Sequence, residues 1–243
     1  LAAAAGPELP PVSARFRRVG SEQGLSHDTV FSVVQDHRGY VWLGTEQGLN
    51  RYDGYGTRVF MHQEDLPGSL AEDDVSCLAV DRRGELWVAT WGGGLDRFEP
   101  ATETFAHHKA DPSRPDALHD NRVQTLLEDR DGRIWAGTFA GGLSRLDPSS
   151  GRITTWRHDP GNPRSLPDDH VWALAQTPDG AIWVGTERGL GRLDPSSERF
   201  SPPGFAEQGV VRALLVDRAG LLWVGREAGL VRIDPATGEV GPL

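Results

Sequence analysis

Two aromatic residues and three glutamates occupy the same place in five similar segments of the sequence. Trp91 and Phe139 each follow a threonine and precede glycines, in the stretches WGGG and FAGG. The other three segments carry Glu46, Glu187 and Glu227 at this place. An aromatic ring can stack on a sugar or another flat apolar surface, and neighbouring glycines let backbone approach closely. Trp91 and Phe139 are therefore candidate ligand contacts, and the alternative is that they cap a channel mouth.

A second group of candidates is charged. Arg226 stands where the other four segments have threonine, and it precedes Glu227. Arg188 follows Glu187 in the fourth segment. An arginine can bind an anionic group or pair with a neighbouring carboxylate. Either role would place these charges at the rim of the same loops.

Polar side chains also recur just before the valine that opens each of five apolar runs. Asp74 and His170 lie directly before such a valine, and Asn121 lies two residues before one. An Asp or Asn two residues ahead of the valine is expected mainly to bind turn backbone rather than a ligand. The candidate ligand-binding set is Trp91, Phe139, Glu46, Glu187, Arg188, Arg226, Glu227, Asp74, Asn121 and His170.

No pattern in the sequence predicts catalysis or metal binding. A G-x-S-x-G elbow, a P-loop and a dinucleotide fingerprint are all missing, and the carboxylates repeat too evenly to single out a catalytic pair. His27, His119 and His170 lack metal-ligand spacing. We therefore predict a non-catalytic protein with no catalytic residue, no cofactor and no metal.

The five segments that must position these residues share the skeleton D-x-x-G-x-Φ-W-Φ followed by G-L-x-R-Φ, where Φ is apolar. They recur every 40 to 50 residues or so, which is the length of one four-stranded propeller blade. The segments are Asp36 to Asp53, Asp81 to Glu99, Asp129 to Asp147, Thr177 to Asp194 and Asp217 to Asp234. The sequence therefore predicts an all-β fold, a β-propeller of four-stranded blades with five repeats present.

Each period reads as an inner valine-rich strand, an Asp-x-x-Gly turn, a Trp strand, a Gly-Leu-x-Arg strand and a polar outer strand. The predicted blade cores cover about 30–62, 75–108, 123–157, 171–200 and 211–243. Residues 14–29 would form an outer strand and a link, and 1–13 a leader or the remnant of a signal peptide. The repeated arginines are expected to form ion pairs between blades with the Asp-rich links.

Composition narrows the class of partner. The formal net charge is -10, from 35 acidic and 25 basic residues, which argues against nucleic acid because its binding depends on clustered Lys and Arg. No apolar run reaches the roughly 18 residues that a membrane span needs. The single cysteine, Cys77, excludes an intrachain disulfide.

The repeated blocks resemble the two-component regulator propeller repeat, found in the sensory domains of bacterial hybrid histidine kinases and related diguanylate cyclases. The resemblance is carried by LSHDTVFSVVQDHRGYVWLGTEQGLNRYDGY at Leu25 to Tyr55 and by each later D-x-x-G-x-Φ-W block. It implies a periplasmic or extracellular sensor that belongs to an inner-membrane receptor. A small molecule, a glycan among the candidates, would bind at the mouth loops.

The same resemblance implies seven blades per propeller, two more than the five repeats present. We therefore expect a larger ring completed by further blades, with downstream receptor domains and a homodimer as further partners. The alternative is a closed five-bladed ring in which residues 14–19 supply the outer strand of the last blade. Other functions left open are a streptogramin-lyase-like enzyme, since those blades also carry G-x-Φ-W motifs, and a plain protein-interaction platform.

Overall fold

The computed structural model describes residues 18–201 and 209–241 of the 243-residue chain. These residues form five four-stranded antiparallel sheets, each with its strands in chain order, and one short 3₁₀ turn at Ser21–Gln23. The all-β propeller architecture predicted from the repeat is confirmed. The predicted domain bounds stay a prediction, and those of the leader lie outside the described residues.

The strands follow the predicted order within every blade. Blade 1 contains β1 (Val30–Gln35), β2 (Val41–Thr45), β3 (Gly48–Tyr52) and β4 (Thr57–Phe60). Blade 2 contains β5 (Val75–Val80), β6 (Leu86–Thr90), β7 (Gly94–Glu99) and β8 (Thr104–His108). Blade 3 contains β9 (Val123–Glu128), β10 (Ile134–Thr138), β11 (Leu143–Leu146) and β12 (Ile153–Trp156). Blade 4 contains β13 (Val171–Gln176), β14 (Ile182–Thr186), β15 (Gly189–Asp194) and β16 (Arg199–Ser201), and blade 5 contains β17 (Val211–Val216), β18 (Leu222–Arg226), β19 (Gly229–Ile233) and β20 (Val240–Gly241).

The repeated aspartate joins the turn to the repeated tryptophan. In blade 3, Asp129 accepts the backbone N–H of Asp131 and of Arg133 on Oδ1, both at 2.9 Å, and the indole N–H of Trp135 on Oδ2 at 2.8 Å. Asp36, Asp81 and Asp217 make the same indole contact with Trp42, Trp87 and Trp223. One carboxylate therefore satisfies three donors and fixes both the hairpin and the buried ring.

Blade 4 reaches the same arrangement with different atoms. The Thr177 hydroxyl accepts the indole N–H of Trp183 at 3.0 Å, and Asp179 accepts the N–H of Ala181 at 3.2 Å. The Thr177 hydroxyl also lies 2.5 Å from Asp179 Oδ1. Two residues thus divide the role that a single aspartate has in the other blades.

The core lies between the blades. Trp42 and Phe60 of blade 1 pack with Leu78, Phe98 and Phe105 of blade 2, and equivalent clusters join blades 2 and 3, 3 and 4, and 4 and 5. Inner strands pack in chain order, β1 on β5, β5 on β9, β9 on β13 and β13 on β17. In blades 1 to 4 the tryptophan strand is therefore covered by the inner strand of the next blade.

The repeated arginines were predicted to form ion pairs between blades with the Asp-rich links. Two of them do pair with the next blade, but their partners are glutamates of its outer hairpin and not link residues. Arg145 lies with its guanidinium 5.6 Å from the Trp135 ring centre and pairs with Glu198 of blade 4 at 2.8 Å. Arg51 likewise lies over Trp42 and pairs with Glu103 of blade 2, whereas Arg192 pairs within its own blade. Arg51 and Arg145 lie over the tryptophan of their own blade because the quadrupole of an indole ring attracts a cation above its face.

The two end blades each expose one apolar face. Val33 of blade 1 is 57% exposed, whereas Leu78, at the same place in blade 2, is 5% exposed. Leu215 of blade 5 is 63% exposed, whereas Ala175, its counterpart in blade 4, is 6% exposed. Within the described residues β1 and β17 share no contact comparable to that between consecutive inner strands. The predicted outer strand at 14–19 lies mostly outside those residues, so both predictions about ring closure stay predictions.

Candidate functional site

The loops that carry the candidate residues meet at one end of the sheets, which we call the mouth. In blades 1 to 4 the loop between the second and third strands is bonded to the entry of the inner strand of its own blade. The N–H of Trp91 donates to the Asp74 carbonyl at 2.8 Å, and that of Glu187 donates to the His170 carbonyl at 3.1 Å. The Phe139 N–H donates to the Arg122 carbonyl at 2.9 Å. Backbone pairing therefore fixes the position from which each candidate side chain leaves.

An aromatic row runs across the mouth from blade 2 to blade 4. The ring centres of Trp91 and Phe139 are 5.2 Å apart with their planes at 71°, an edge-to-face contact. Phe139 lies 4.3 Å from His170, which stacks on Trp172 at 4.2 Å. The structure thus brings three of the predicted site residues into one contiguous row and adds a fourth ring from an inner strand.

Two guanidinium groups lie against this row. Arg122 lies 4.4 Å from the ring centre of Phe139, and Arg212 lies 4.5 Å from that of Trp172. Protein groups therefore already cover these two rings. Trp91 touches the row only through the edge contact with Phe139, so it is the ring best placed to stack on a ligand.

Each of these cations is held by a carboxylate. Asp120 accepts Nε and Nη2 of Arg122 at 3.0 and 2.9 Å, and it also accepts the Ala140 N–H at 2.8 Å. Burial raises the pKa of Asp120, but its hydrogen bonds with Arg122 outweigh that effect and leave the pKa lowered. Arg212 pairs with Glu227 at 2.9 Å. The row is therefore positioned in advance by charged groups that satisfy one another.

His170 links the row to polar groups on three blades. Its Nε2 lies 2.8 Å from Gln124 Oε1 of blade 3, and its Nδ1 lies 3.8 Å from Glu187. Glu187 also accepts the indole N–H of Trp172 at 2.8 Å. Burial lowers the pKa of His170, Arg212 adds to this, and Glu187 opposes it. The neutral imidazole is thereby favoured between its aromatic neighbours.

The blade 1 and 2 side of the mouth is acidic. Burial raises the pKa of Asp74, and the nearby carboxylates Glu46 and Glu72 raise it further. Glu46 lies 3.6 Å from His27 Nδ1. Arg188, on the opposite side, pairs with Asp168 at 3.1 Å. The mouth therefore combines an acidic half with a half in which aromatic and cationic side chains alternate.

Asn121 and its counterparts bind backbone, as predicted for this position. Asn121 Oδ1 accepts the N–H of Ala110 at 2.6 Å, and Asp73 and Asp169 accept the N–H of His62 and His158 in the same way. Asn121 thus holds the segment between β8 and β9.

Arg226 lies half-buried at the end of β18, opposite Val211. The other blades have a threonine at this position, and its hydroxyl donates to a glycine carbonyl.

The sequence interpretation missed four residues that build the row. They are Arg122, Gln124, Trp172 and Arg212. The last three are second residues of inner strands, and the strand register shifts at this place in every blade. The second residues are Phe31, Ser76, Gln124, Trp172 and Arg212, so this position also differs between all blades. The differences at this position point to Gln124, Trp172 and Arg212, but Arg122 precedes its strand and is not among them.

Within residues 18–201 and 209–241, three or more His, Cys, Asp or Glu side chains do not converge anywhere in a way that could hold a metal ion. Among the same residues, none of the helical segments has the length and hydropathy needed to cross a bilayer.

Comparison with known proteins identifies the repeat. The two component regulator propeller family matches residues 24–47, 69–92, 117–140 and 165–188, which lie in blades 1 to 4. The chain therefore carries two-component regulator propeller repeats, and the predicted resemblance is confirmed.

Solved structures agree in fold. The extracellular domain of a protein named as a hybrid two component system from B. thetaiotaomicron is 26% identical with a TM-score of 0.81, covering 93% of this chain and 31% of that one. Virginiamycin B lyase from Staphylococcus aureus is 18% identical with a TM-score of 0.62, covering 88% and 69% of the two chains. The lyase likeness shows the fold alone.

A curated relative, histidine kinase P4 from Formosa agariphila, is 33% identical over 56 residues, which is 23% of this chain and 4% of that protein. The chain thus spans 31% of the two-component structure and a much smaller share of the kinase. The two-component structure is named as the extracellular domain of its system.

Proposed function

We propose that this chain is the extracytoplasmic, ligand-binding part of a bacterial signal-transduction receptor and binds a small molecule at the mouth. The observation that carries the proposal is the aromatic row from Trp91 to Trp172 with its paired arginines. The row is built at positions that differ between blades, whereas the scaffold residues repeat. A propeller needs its scaffold in every blade, but a ligand contact is needed only once.

The residue types at the mouth favour a glycan or a similar polar ring compound. Trp91 offers an aromatic face, and its loop contains Gly92, Gly93 and Gly94. Asp74 and Glu187 supply carboxylate oxygens that can accept hydrogen bonds from hydroxyl groups. A sugar ring has an apolar face, which can stack on Trp91, and hydroxyl groups at its edge, which can bond to these carboxylates. The proposed role is non-catalytic and uses no cofactor.

The exposed faces of blades 1 and 5 support a proposal about partners. Val33 and Leu215 are exposed, whereas the residues at the same positions of blades 2 and 4 are buried against a neighbouring blade. We propose that further blades of the same kind cover these faces and that receptor output domains or a second copy complete the assembly. A periplasmic or extracellular location agrees with the extracellular origin of the two-component structure.

The test is a thermal-shift screen of the receptor that contains this chain against glycans and small anions. A hit is then titrated by calorimetry against the wild type, Trp91→Ala and Tyr55→Ala. Tyr55 is 98% exposed and lies in the turn between β3 and β4, away from the mouth, so it is a matched aromatic control. We expect Trp91→Ala to weaken binding by about tenfold, which corresponds to the loss of an aromatic contact worth about 1.4 kcal/mol.

Three outcomes would contradict this proposal. Binding that is unchanged in Trp91→Ala would place the ligand elsewhere. Turnover of a cyclic depsipeptide antibiotic would favour the lyase class instead. Binding of a protein partner without any small-molecule hit would favour an interaction platform.

A further inference from the structure

The third strand of each blade has a different residue between the repeated leucine and arginine, and among the five only blade 2 has a charge there. The residues are Asn50, Asp96, Ser144, Gly191 and Val231. In blade 1, Asn50 accepts the N–H of Ser26 at 2.9 Å. Asp96 is fully buried, with 0% of its side chain exposed. A buried carboxylate is costly unless its partners satisfy it, so its presence calls for an explanation.

Asp96 and His107 hold link 1, which we define as residues 61–74 between β4 and β5. Asp96 Oδ2 accepts the Ala71 N–H at 2.8 Å, and Asp96 Oδ1 lies 2.6 Å from Nδ1 of His107, its cross-strand neighbour. His107 Nε2 lies 2.8 Å from the carbonyl oxygen of Pro67. The pair therefore makes two contacts to link 1 and one between its own members.

The number of protons on the pair follows from these contacts. The Pro67 carbonyl can only accept, so Nε2 must carry a proton to bond with it. The contact with Asp96 then needs one more proton, either on Nδ1 or on the carboxyl group. If that proton leaves, a neutral imidazole has a single N–H for two acceptors, and one of the contacts is lost.

We propose that Asp96 and His107 form a proton-dependent clasp that holds link 1 on blade 2 while the pair shares this proton and releases it as the pH rises. The shared proton belongs to the pair and not to either residue, because the two side chains are in direct contact. Loss of the proton breaks either the bond from His107 to the Pro67 carbonyl or the bond between His107 and Asp96. In either case the attachment of link 1 is weakened.

The charges around the clasp agree with this direction. Burial raises the pKa of Asp96, and the hydrogen bonds from His107 and Ala71 and the charge of Lys109 only partly oppose it. A raised pKa means that the folded protein keeps a proton on this carboxyl group at a pH where the unfolded chain has given it up, so this stabilisation is present at low pH and is lost as the pH rises. The other titratable groups near the pair are Arg97 and His108 beside it and His62, Glu64, Asp111 and Arg114 around a cavity of about 690 Å³.

Link 1 also reaches the mouth. The Asp73 carbonyl accepts the Gly48 N–H at 2.6 Å, and the Asp74 carbonyl accepts the Trp91 N–H at 2.8 Å. A loosened link 1 would therefore disturb the base of the loop that carries Trp91. Only this coupling to ligand binding rests on the proposed function, and the clasp itself does not.

The experiment is hydrogen exchange of the Ala71 amide in the wild type and in Asp96→Asn, followed from pH 5 to pH 8 and corrected for intrinsic rates. The side-chain amide introduced by this substitution would keep an acceptor for Ala71, as Asn50 does for Ser26 in blade 1, but it cannot titrate. We expect wild-type protection to fall about tenfold or more over this range, while the variant stays flat. The Ser26 amide is the internal control and is expected to show no such change.

A wild-type protection profile that is flat or identical to that of Asp96→Asn would overturn the clasp. If Asp96→Asn does not fold, His107→Gln is the second variant, and ¹⁵N NMR of the wild-type His107 ring reports directly whether both nitrogens carry protons at pH 5. A pH-dependent link 1 in a receptor that binds no ligand at the mouth would leave the clasp standing and reject the proposed function alone.

Discussion

The two ends of each blade differ in how strictly the sequence repeats. At the turn end, all five blades bond the indole N–H of the tryptophan to a side chain six residues earlier. At the mouth, the inner strands, which lead into these turns, have a different second residue in each blade. The contrast lies within single strands, because each inner strand runs from the mouth to the turn.

Packing explains the difference. A turn that buries a tryptophan must satisfy the indole N–H and the backbone N–H groups beside it, and few residue types can accept all of these bonds. A side chain at the mouth projects towards solvent and its neighbours on adjacent blades, so many residue types are compatible with the fold. Differences between blades can therefore accumulate at the mouth without loss of stability, and this is where we locate recognition.

The largest expected effect is at the turn end. Trp135 is fully buried, stacks on Trp156 at 5.2 Å and bonds to Asp129. We expect Trp135→Ala to lower the free energy of unfolding by about 3–5 kcal/mol, because it opens a cavity between blades 3 and 4. Urea denaturation measures this directly.

Trp91→Ala is the matched control at the mouth. Trp91 is half-buried and makes a single edge contact with Phe139. We expect it to change stability by less than about 1.5 kcal/mol, the range for one aromatic pair. Equal losses in the two variants would show that the two ends do not differ in structural demand.

A smaller effect would sharpen the account of the turn itself. Asp81 accepts the N–H groups of Arg83 and Glu85 as well as the indole N–H of Trp87. In Asp81→Thr the hydroxyl can keep the indole bond, as Thr177 does, but two backbone donors lose their acceptor. We expect a loss of about 1–3 kcal/mol by urea denaturation.

Asp129→Thr is the matched variant, because blade 3 already has Asp131 where blade 4 has Asp179. Asp179 accepts the N–H of Ala181, so Asp131 is placed to accept that of Arg133. The loss is therefore expected to be smaller than for Asp81→Thr. The opposite order would mean that the aspartate acts through its charge and not through the number of bonds it accepts.

The fold could be predicted from sequence because its determinants repeat. The spacing between Asp129 and Trp135 recurs in every blade, and an error in one copy is corrected by the other four. The family and the strand order followed from the same repetition. The partners of Arg145 could not be predicted in this way, because its contacts with Trp135 and Glu198 depend on how neighbouring blades pack.

The candidate site could be predicted only in part. Trp91 and Phe139 were found because they interrupt a repeat, and His170 because polar side chains recur before the valine of each inner strand; the structure places the three in contact. Trp172 was read as part of an apolar strand, because alternation along a strand does not reveal the register shift between Val171 and Ala173. Asp96 could not be recognised from sequence, since its burial and its contact with His107 arise only when β7 and β8 pair.

The smallest expected effect concerns pH at the mouth and has the opposite sign to the clasp. Burial lowers the pKa of His170, so the unfolded chain takes up a proton on this side chain more readily than the folded protein does. The corresponding stability is present above the ordinary histidine pKa of about 6.5 and is lost as the pH falls below it. His170→Gln removes this dependence, so the difference in unfolding free energy between wild type and variant should shrink between pH 7.5 and pH 5. Denaturation at both pH values separates the two sites, because the difference between wild type and Asp96→Asn is expected to change in the opposite direction. A constant difference would mean that His170 is protonated equally in both states, and that the aromatic row does not favour the neutral ring.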